Sequence, residues 1–402
     1  MTIQSSPDTV DTGLYGVPIC KSGISTSIID PNGNPLVLYR GYSIYDLVRG
    51  SFEESLYLIL YGELPKKAEL DNFKDTLYKE SRLNDEIVRF IEFFPKSANK
   101  MDFLLSALSF ARLFDKDYNN SSWLKTRSNQ AEAVKLLTDC GLRLGAKIPA
   151  IIGYGSRIFK GLEPIPPQKG FSYAKNLLYM MGLETDEDSV AALNASLILY
   201  LDHTITNSTF ITRVAESARG DPYGPFLAAA VGLKGVLHGG ANELAADMLA
   251  EIGEPENVEK FVTDHISNGD VIFGFGHRFP VYKKSLESRV VAAIAVMRPL
   301  LEKKGMSREL KLFDALVGFM ESEKVEERKR RAPNLDLPTC LIYKAIGIDK
   351  DWNTPVFQAS RHFGWVAHAA EQRNNGVPLY RPTQINAENT AAPKKYIPLN
   401  QR

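Results

Sequence analysis

Apolar positions recur at three- and four-residue steps along most of the chain, which is the spacing of amphipathic helices. From about residue 50 onwards the pattern is helical almost throughout, apart from a loop at 160–169 that contains three prolines. The predicted helices are 52–61, 67–80, 84–93, 101–113, 128–145, 171–182, 187–200, 206–218, 222–233, 241–251, 256–267, 282–304, 308–324 and 354–374.

The first forty residues have a different pattern. Residues 24–29 alternate weakly between apolar and polar positions, residues 30–35 (DPNGNP) have turn composition, and residues 36–39 are apolar. This order predicts a β-hairpin. Residues beyond Arg381 show little periodicity and are expected to form an extended arm. The predicted fold class is therefore mostly α, with a minor N-terminal β hairpin.

Composition narrows the possible classes of protein. A chain of 402 residues exceeds the size at which one core keeps growing, so two domains are expected. The 48 Lys and Arg residues balance 48 Asp and Glu residues, which argues against nucleic-acid and membrane-surface partners. Three scattered cysteines, no leader-like N-terminus and no long apolar run predict a cytoplasmic protein with reduced thiols. No group of His, Cys and carboxylate residues has metal-ligand spacing.

Three short segments carry residue types suited to catalysis. GVLHGGANE places His238 before two glycines and a predicted helix, where the helix dipole favours a neutral, hydrogen-bond-donating imidazole. GFGHRFPVYK places His277 after a glycine and before basic residues, and APNLDLP carries Asp336 before a proline. Taken singly, each segment also fits a structural role, such as a histidine beside a glycine turn or an aspartate that caps a helix.

Together these segments resemble citrate synthases. LHGGANE, GFGHR followed by YK, and PNLD are similar to the three signature segments of that family. YRGYSIYDL, FEE and YGELP resemble its N-terminal region, PAII and FSYAKNLLYMM its middle, and FGWVAH and RP its end. The similarity runs in the same order over roughly residues 36–382, so the chain is identified as a member of the citrate synthase family.

The resemblance implies a citrate synthase-like two-domain helical fold and a homodimer. It places a large domain at residues 1–240 and 341–402 and a small domain at 241–340. In the family the active site lies in the cleft between the domains, which closes on substrate.

The resemblance also implies a reaction, the condensation of oxaloacetate with an acyl-CoA thioester followed by hydrolysis of the citryl-CoA-type intermediate. It assigns the base to Asp336, the donor that stabilises the thioester enol to His238, and polarisation of the oxaloacetate carbonyl to His277. Removing a weakly acidic α-proton requires a base and a carbonyl donor to act together. Because coenzyme A arrives as part of a substrate, neither a tightly bound cofactor nor a metal is expected.

Oxaloacetate carries two carboxylates, which guanidinium groups bind through paired hydrogen bonds. The resemblance assigns oxaloacetate binding to His203, Arg289, Arg361 and Arg381. Of these, Arg381 matches an arginine that the partner subunit lends across the dimer. Lys283 and Arg331, the latter at the end of an RKRR run, are the expected contacts to coenzyme A. These residues predict a positive cleft on a surface whose charges otherwise balance.

The sequence departs from the family pattern in three places. Thr204 follows the predicted substrate histidine where the family usually has Glu, and Asn99-Lys100 stands where His-Pro is common. Phe279-Pro280 interrupts the loop after His277 and moves Arg289 further along the chain. Each departure fits either ordinary sequence drift or altered substrate handling.

Several functions therefore remain open. The leading prediction is an acyltransferase that uses acetyl-CoA, with propionyl-CoA as a further donor that would give 2-methylcitrate. The alternatives are a 2-alkylcitrate synthase with a longer acyl-CoA, a citryl-CoA lyase, and a non-catalytic CoA-binding relative. One methylene changes selectivity by only about 1–3 kcal/mol, so the sequence does not choose between acyl donors. The retained His238, His277 and Asp336 favour an active enzyme.

Overall fold

The computed structural model describes residues 13–14, 16–119, 129–276, 286–327, 331–384 and 393–402. Within these ranges the chain forms seventeen α-helices and one small sheet, which confirms the predicted fold class. In chain order the helices are α1 (Ile44–Leu47), α2 (Phe52–Tyr61), α3 (Lys67–Ser81), α4 (Asp85–Phe93), α5 (Lys100–Ala111), α6 (Lys116–Asn119), α7 (Gln130–Ile158), α8 (Tyr173–Met181), α9 (Glu187–Tyr200), α10 (Asn207–Ser217), α11 (Gly224–Leu233), α12 (Ala241–Ile252), α13 (Val258–Asn268), α14 (Ser288–Lys303), α15 (Ser307–Glu321), α16 (Asp336–Ala345) and α17 (Asn353–Asn374).

Most predicted helices agree with the structure to within one or two residues, and α2 and α9 have the predicted bounds. Among the helices that were predicted, the largest disagreement is α7, which continues to Ile158 instead of ending at residue 145. Helices α1, α6 and α16 have no counterpart among the predicted ranges. The helix predicted at 282–304 begins only at Ser288, and part of the predicted range lies outside the described residues. Asn99, one of the departures from the family pattern, caps α5 by accepting the backbone N–H groups of Met101 and Asp102.

The predicted N-terminal hairpin is present and gains a third short strand. Strands β1 (Ser25–Ile29) and β2 (Pro35–Tyr39) pair antiparallel, and β3 (Tyr42–Ser43) pairs with the end of β2. The tight turn between β1 and β2 is fixed by Asp30, whose carboxylate accepts two backbone N–H groups. Alternate residues of β2 are buried, and the Val37 N–H donates to Ser288 at the start of α14, 2.9 Å away. The sheet therefore anchors the N-terminal segment against α14.

Helices α7 and α17 pack against each other at the centre of the molecule. Two glycines of α7 face α17 so closely that a side chain would not fit. A Cβ atom on Gly141 would lie 2.5 Å from Val366, and one on Gly145 would lie 2.6 Å from Phe363. Helix α17 is buried along most of its length, so its side chains are held in fixed positions. This rigid core helix carries Arg361.

Residues 241–340 contain α12 to α15 and the first half of α16, and these helices pack on one another, with α12 and α14 both lying against α16. Helices α9 and α17 contact this group as well. The ends of α9, α10, α12, α14 and α16 thereby come close to the middle of α17. The division into a large and a small domain stays a prediction. None of the described helices is long and apolar enough to cross a membrane.

Candidate active site

Asp336 is the first residue of α16 and is partly buried. Its Oδ1 atom accepts a hydrogen bond from the Tyr200 hydroxyl at 2.8 Å. Its backbone N–H donates to the Asn334 side chain at 3.0 Å, which fixes the start of the helix. Among the described residues, no group donates a hydrogen bond to Oδ2 of Asp336. One oxygen of the predicted base is therefore held by the protein, and the other has no protein donor within these ranges.

Two opposing effects set the pKa of Asp336. Burial disfavours the charged carboxylate, whereas the Tyr200 hydrogen bond and the nearby guanidinium groups of Arg289 and Arg361 favour it. Burial is the larger effect and raises the pKa to about 6. The carboxylate is then still mostly ionised at neutral pH, yet it is a stronger base than an ordinary aspartate.

His238 lies in the turn before α12, and its Nε2 atom is 2.8 Å from the Ser208 hydroxyl. Trp365 donates its indole N–H to the same hydroxyl at 3.2 Å. Since no other acceptor for the Ser208 hydrogen is found in the described part of the chain, we assign this hydrogen to Nε2. The imidazole then carries its own hydrogen on Nδ1, where it can be donated to a ligand.

The structure shows why His238 stays neutral. Burial lowers its pKa to about 3, and the positive charge of Arg361 adds to the effect. The sequence interpretation attributed this neutrality to the dipole of the following helix. Burial and a neighbouring cation are causes of the low pKa that the sequence did not indicate. The expected outcome, a neutral imidazole able to donate one N–H, is unchanged.

Arg361 is 2% exposed and lies over the Phe357 ring, with its guanidinium carbon 4.9 Å from the ring centroid. Its Nε atom donates to the Tyr200 carbonyl at 2.7 Å. No carboxylate of the described residues lies within salt-bridge distance of it. Burial lowers the pKa of Arg361 to about 10, so the group remains a cation at neutral pH. A buried cation without a carboxylate partner is costly unless an anion binds beside it.

Arg289 is also buried, but it is already paired. Its guanidinium binds both carboxylate oxygens of Glu287, which is 3% exposed, and it donates to the Leu199 carbonyl at 3.3 Å. A substrate carboxylate would therefore share Arg289 with Glu287. Arg361 differs, because the buried Asp202 carboxylate stabilises its positive charge only through space, without an ion pair.

His203 and its neighbours form a buried turn between α9 and α10. His203 is 6% exposed, and Asp202 beside it is fully buried. Burial would raise the pKa of Asp202, but His368, Arg361 and a hydrogen bond from Ser25 outweigh it and leave the pKa below its ordinary value. Thr204, where the sequence departs from the family pattern, has a φ of 54°, in the left-handed region, and its N–H donates to Ser25 at 2.8 Å.

The structure describes only two of the remaining predicted residues, Arg331 and Arg381. His277, Lys283 and Phe279-Pro280 lie outside the described residues. The aliphatic part of the Arg331 side chain lies beside Gly276. A Cβ atom added to Gly276 would be 3.6 Å from Cδ of Arg331. Arg381 is exposed. The backbone N–H of the preceding residue, Tyr380, donates to Ser217 at the C-terminal end of α10, whereas Ser208 lies at the N-terminal end of that helix.

Four residues that sequence reasoning missed complete the site: Tyr200, Ser208, Asn242 and Thr339. Asn242 donates its amide to the Tyr200 oxygen at 3.0 Å and lies 2.9 Å from Thr339. Tyr200 belongs to an apolar run, so its pattern indicates an ordinary core residue. The only local signal was its position three residues before His203. Asn242 lies within the GGANE segment, but nothing there distinguishes it from a helix-start residue.

Among the described residues, one group has the ligand types and spacing for a metal: Asp115, Asp117 and Cys140. Arg143 forms ion pairs with both carboxylates at 2.6 Å and so already neutralises them. Burial raises the pKa of Cys140 to about 12, which keeps the thiol protonated and a poor ligand. These contacts favour a structural role for the group.

Comparisons with known proteins agree on one family. The family model described as citrate synthase, C-terminal domain, matches residues 13–383. Citrate synthase 2 of Bacillus subtilis is 36% identical over 98% of this chain and all of its own length. A 2-methylcitrate synthase of Mycobacterium tuberculosis is 34% identical over 95% of this chain and 91% of its own.

Solved structures give the same result. The citrate synthase of Pyrobaculum aerophilum superposes with a TM-score of 0.86, with 33% identity over 99% of this chain and 97% of that one. The Thermoplasma acidophilum citrate synthase, in a ternary complex with carboxymethyl coenzyme A and oxaloacetate, gives 0.82, with 28% identity over 96% and 98%. The chain belongs to the citrate synthase family and is a citrate synthase-type enzyme.

Proposed function

We propose that this enzyme condenses oxaloacetate with an acyl-CoA thioester and hydrolyses the product to a free tricarboxylate and coenzyme A. The observation that carries the proposal is the buried guanidinium of Arg361, which has no carboxylate within salt-bridge distance in the described chain and influences both Asp336 and His238. A cation, a base and a neutral donor are the groups that an anionic keto acid and an enolisable thioester require.

In the proposed reaction Asp336 removes the α-proton of the acyl group. The Nδ1–H of His238 donates to the thioester oxygen, where the electron pair of the broken C–H bond accumulates. The resulting enol attacks the oxaloacetate carbonyl, which His277 is proposed to polarise. Because the pKa of His238 is about 3, the imidazole can act as a neutral donor throughout the working pH range.

Oxaloacetate binding is proposed for His203, Arg289 and Arg361, with Arg361 as the main carboxylate ligand. Arg289 would contribute while it remains bound to Glu287. Lys283 and Arg331 are proposed to contact coenzyme A. The reaction needs no tightly bound cofactor, because coenzyme A enters and leaves with the substrate.

A homodimer would explain the position of Arg381. This arginine is exposed and lies at the end of α10 opposite Ser208, so its own chain does not bring it to Asp336. We propose that the partner subunit supplies it to the site, and that residues 241–340 form the small domain that closes over the substrate. A mixture of Arg381→Ala and Asp336→Ala chains should then regain activity in heterodimers. Failure of mixed dimers to exceed either parent would refute the shared site.

The acyl donor is proposed to be acetyl-CoA, with propionyl-CoA also accepted. Relatives named citrate synthase and relatives named 2-methylcitrate synthase match this chain at similar identity, 36% and 34%. Both donors present an enolisable α-carbon to the same base, and they differ by one methylene. Their relative rates therefore depend on small differences in the shape of the acyl pocket.

Release of free coenzyme A tests the reaction directly. Acetyl-, propionyl- and hexanoyl-CoA are each incubated with the enzyme, with and without oxaloacetate, and the thiol is measured. We expect oxaloacetate-dependent release from the first two donors and loss of at least about a thousandfold in Asp336→Ala. His265→Ala is the matched control for His238→Ala, because His265 stacks on Phe261 away from these groups. No thiol release from any donor would refute the synthase proposal.

A further inference from the structure

The Tyr200 side chain is buried at the point where α9, α12 and α16 meet, and its hydroxyl has three neighbours. It lies 2.8 Å from Oδ1 of Asp336, 2.6 Å from the Thr339 hydroxyl and 3.0 Å from the Asn242 amide nitrogen. A phenol offers one hydrogen and two acceptor positions, so these three contacts fill its hydrogen-bonding capacity.

The direction of each contact follows from the groups involved. The amide nitrogen of Asn242 only donates, and it takes one acceptor position of the phenol oxygen. An ionised Asp336 only accepts, and it is a stronger acceptor than the Thr339 hydroxyl. The phenol therefore donates its hydrogen to Asp336, and the Thr339 hydroxyl shares its single hydrogen between the phenol oxygen and the Leu335 carbonyl 2.7 Å away. Burial raises the pKa of Tyr200 well above its ordinary value, so the hydrogen stays on the phenol.

We propose that Tyr200 is a positioning residue for the base: it holds Oδ1 of Asp336 and so leaves Oδ2 as the oxygen that takes the substrate proton. The inference rests on the proposed reaction and deepens it. Within the described residues the Tyr200 hydroxyl is the one group within hydrogen-bond distance of a carboxylate oxygen of Asp336. Asn242, whose amide donates to the Asp336 backbone carbonyl at 3.1 Å, adds a weaker contribution, and Arg289 and Arg361 act through space. Without the phenol, the carboxylate would rotate and either oxygen would face the substrate.

In this proposal the substrate proton is transferred directly to Asp336, and Tyr200 neither gives nor takes a proton. The α-carbon–hydrogen bond breaks, an O–H bond forms on Oδ2 of Asp336, and the electron pair moves to the thioester oxygen beside Nδ1–H of His238. The Tyr200 hydrogen remains on Tyr200 throughout. Its hydrogen bond is stronger to the ionised carboxylate than to the protonated one, so it keeps the carboxyl in its basic form.

Among the described residues, the other charged and titratable groups that face Asp336 do not titrate in the same range. The groups that face the carboxyl from α9, α14, α17 and its own helix are Tyr200, Arg289, Arg361, Cys340 and Tyr343. Burial raises the pKa of each phenol and of the Cys340 thiol further above neutrality. Arg361 keeps its charge below a pKa of about 10. Within this set, only Asp336 changes charge near pH 6.

Tyr200→Phe removes the hydroxyl and keeps the ring. The loss of the hydrogen bond should raise the pKa of Asp336, so the acid limb of the kcat/KM profile should move up by about one pH unit. Misorientation of the base should lower kcat by about ten- to a hundredfold at neutral pH, while the oxaloacetate KM changes by less than about threefold. A purely structural role would lower activity without moving the acid limb.

Three further variants serve as controls. Tyr343→Phe is the matched substitution, since the Tyr343 hydroxyl is buried on α16 without a hydrogen-bond partner in the described chain, and its profile should stay unchanged. Thr339→Val removes one donor to the phenol and should move the acid limb in the same direction by a smaller amount. Thr339→Ser keeps a hydroxyl, so its acid limb should lie closer to that of the wild type than the acid limb of Thr339→Val does. If Tyr200→Phe fails to fold, the two Thr339 variants still decide the question.

A measurement without substrate separates this inference from the proposed reaction. NMR of carboxyl-labelled aspartate, with Asp336→Asn to assign the signal, gives the pKa of Asp336 directly. We expect a higher value in Tyr200→Phe than in the wild type. An unchanged titration would overturn the role of Tyr200 whether or not the enzyme is active. A wild-type enzyme that shows the titration but releases no coenzyme A would overturn the proposed reaction instead.

Discussion

At the scale of single residues, Asp336 is placed where its charge lowers stability. Burial raises its pKa to about 6, above the ordinary aspartate value, so the folded chain binds a proton more tightly than the unfolded chain. The contribution of this group to the free energy of unfolding is fully present at a pH below the pKa of the unfolded state, and it is lost as the pH rises through about 6. At neutral pH the ionised carboxylate therefore reduces the free energy of unfolding.

Replacing Asp336 with Asn should make the substrate-free enzyme more stable. The substitution keeps the acceptor for Tyr200 and removes the buried charge, which should add about 2 kcal/mol to the free energy of unfolding at about pH 8. The gain should shrink towards zero near pH 4, where the wild-type carboxyl is protonated. Urea unfolding at both pH values measures it. Asp71→Asn, at an exposed pair with Lys67, is the control. Equal or lower stability of Asp336→Asn at pH 8 would contradict the burial argument.

Oxaloacetate should change the pKa of Asp336. The guanidinium groups of Arg289 and Arg361 lower that pKa, and a bound dianion would offset their charge. The base would then protonate at higher pH in the complex than in the free enzyme. We expect the acid limb of kcat, which reports the complex, to lie above that of kcat/KM, which reports the free enzyme. Rate profiles from about pH 5 to 8 test this, and coincident limbs would show that the dianion does not bind beside these arginines.

The predictability of single site residues depended on the local pattern around them. His238 and Asp336 stood out because glycine or proline surrounds them in segments that resemble a family. Tyr200 and Ser208 did not, because their roles come from contacts with residues 136 and 30 positions away. The pairing of Arg289 with Glu287 was also missed, although the two are only two residues apart. A charge pair at that spacing is common on surfaces, and its burial is visible only in the fold.

At the scale of elements, α7 was the least well predicted helix. Its second half contains Pro149, which removes one backbone donor and normally ends or kinks a helix. In the structure the Gly145 carbonyl, which would have paired with residue 149, lies 3.3 Å from the Tyr173 hydroxyl, which shares its hydrogen with the Ala359 carbonyl at 2.8 Å. Burial on all sides then stabilises the helix more than local propensity disfavours it. Local pattern alone cannot show a compensating donor that lies on another helix.

The close contact between α7 and α17 predicts that Gly145 is essential to the core. In Gly145→Ala the new methyl group would lie 2.6 Å from Phe363 and from His362, which are both buried. Overpacking of this kind should lower the free energy of unfolding by about 1–3 kcal/mol. Gly318→Ala is the matched control, because this exposed position in α15 has no atom within 4 Å of the new methyl group. The control should be neutral or gain up to about 1 kcal/mol.

Chemical unfolding of the two glycine variants, followed by circular dichroism, measures both values. If Gly145→Ala is as stable as the wild type, α7 and α17 do not approach as closely as the structure shows. Loss of stability in both variants to the same extent would point to helix propensity instead of packing.

At the scale of the whole molecule, the zero formal charge conceals an uneven distribution. The buried charge of Arg289 is paired with Glu287, whereas Arg361 has no ion pair in the described chain and is stabilised by Asp202 only through space. The cationic character of the candidate site thus comes mainly from Arg361. This local charge supports the predicted positive cleft and explains how a neutral protein could bind a dianion. A bound substrate would supply the missing counter-charge, so binding should also stabilise the folded chain.

A buried network joins the beginning of the chain to its end. Arg213 on α10 donates to Nδ1 of His368 at 3.1 Å and pairs with Glu371, both on α17. Since arginine only donates, His368 carries its hydrogen on Nε2 and donates it to Asp202 at 3.2 Å. Asp202 also accepts from Ser25 of β1. Four separate parts of the chain are therefore held beside His203 by one connected set of hydrogen bonds.

Removing Arg213 should disrupt this whole network. Arg213 is fully buried, so Arg213→Met would leave Glu371 without its partner and His368 without its donor. We expect the free energy of unfolding to fall by about 3–5 kcal/mol. Arg298→Met provides the matched control, because Arg298 pairs with Asp314 on the surface and its loss should cost at most about 1 kcal/mol. Urea unfolding of both variants compares the two costs. Equal losses would mean that the network contributes no more than a surface ion pair, and that packing alone holds the first strand to the last helix.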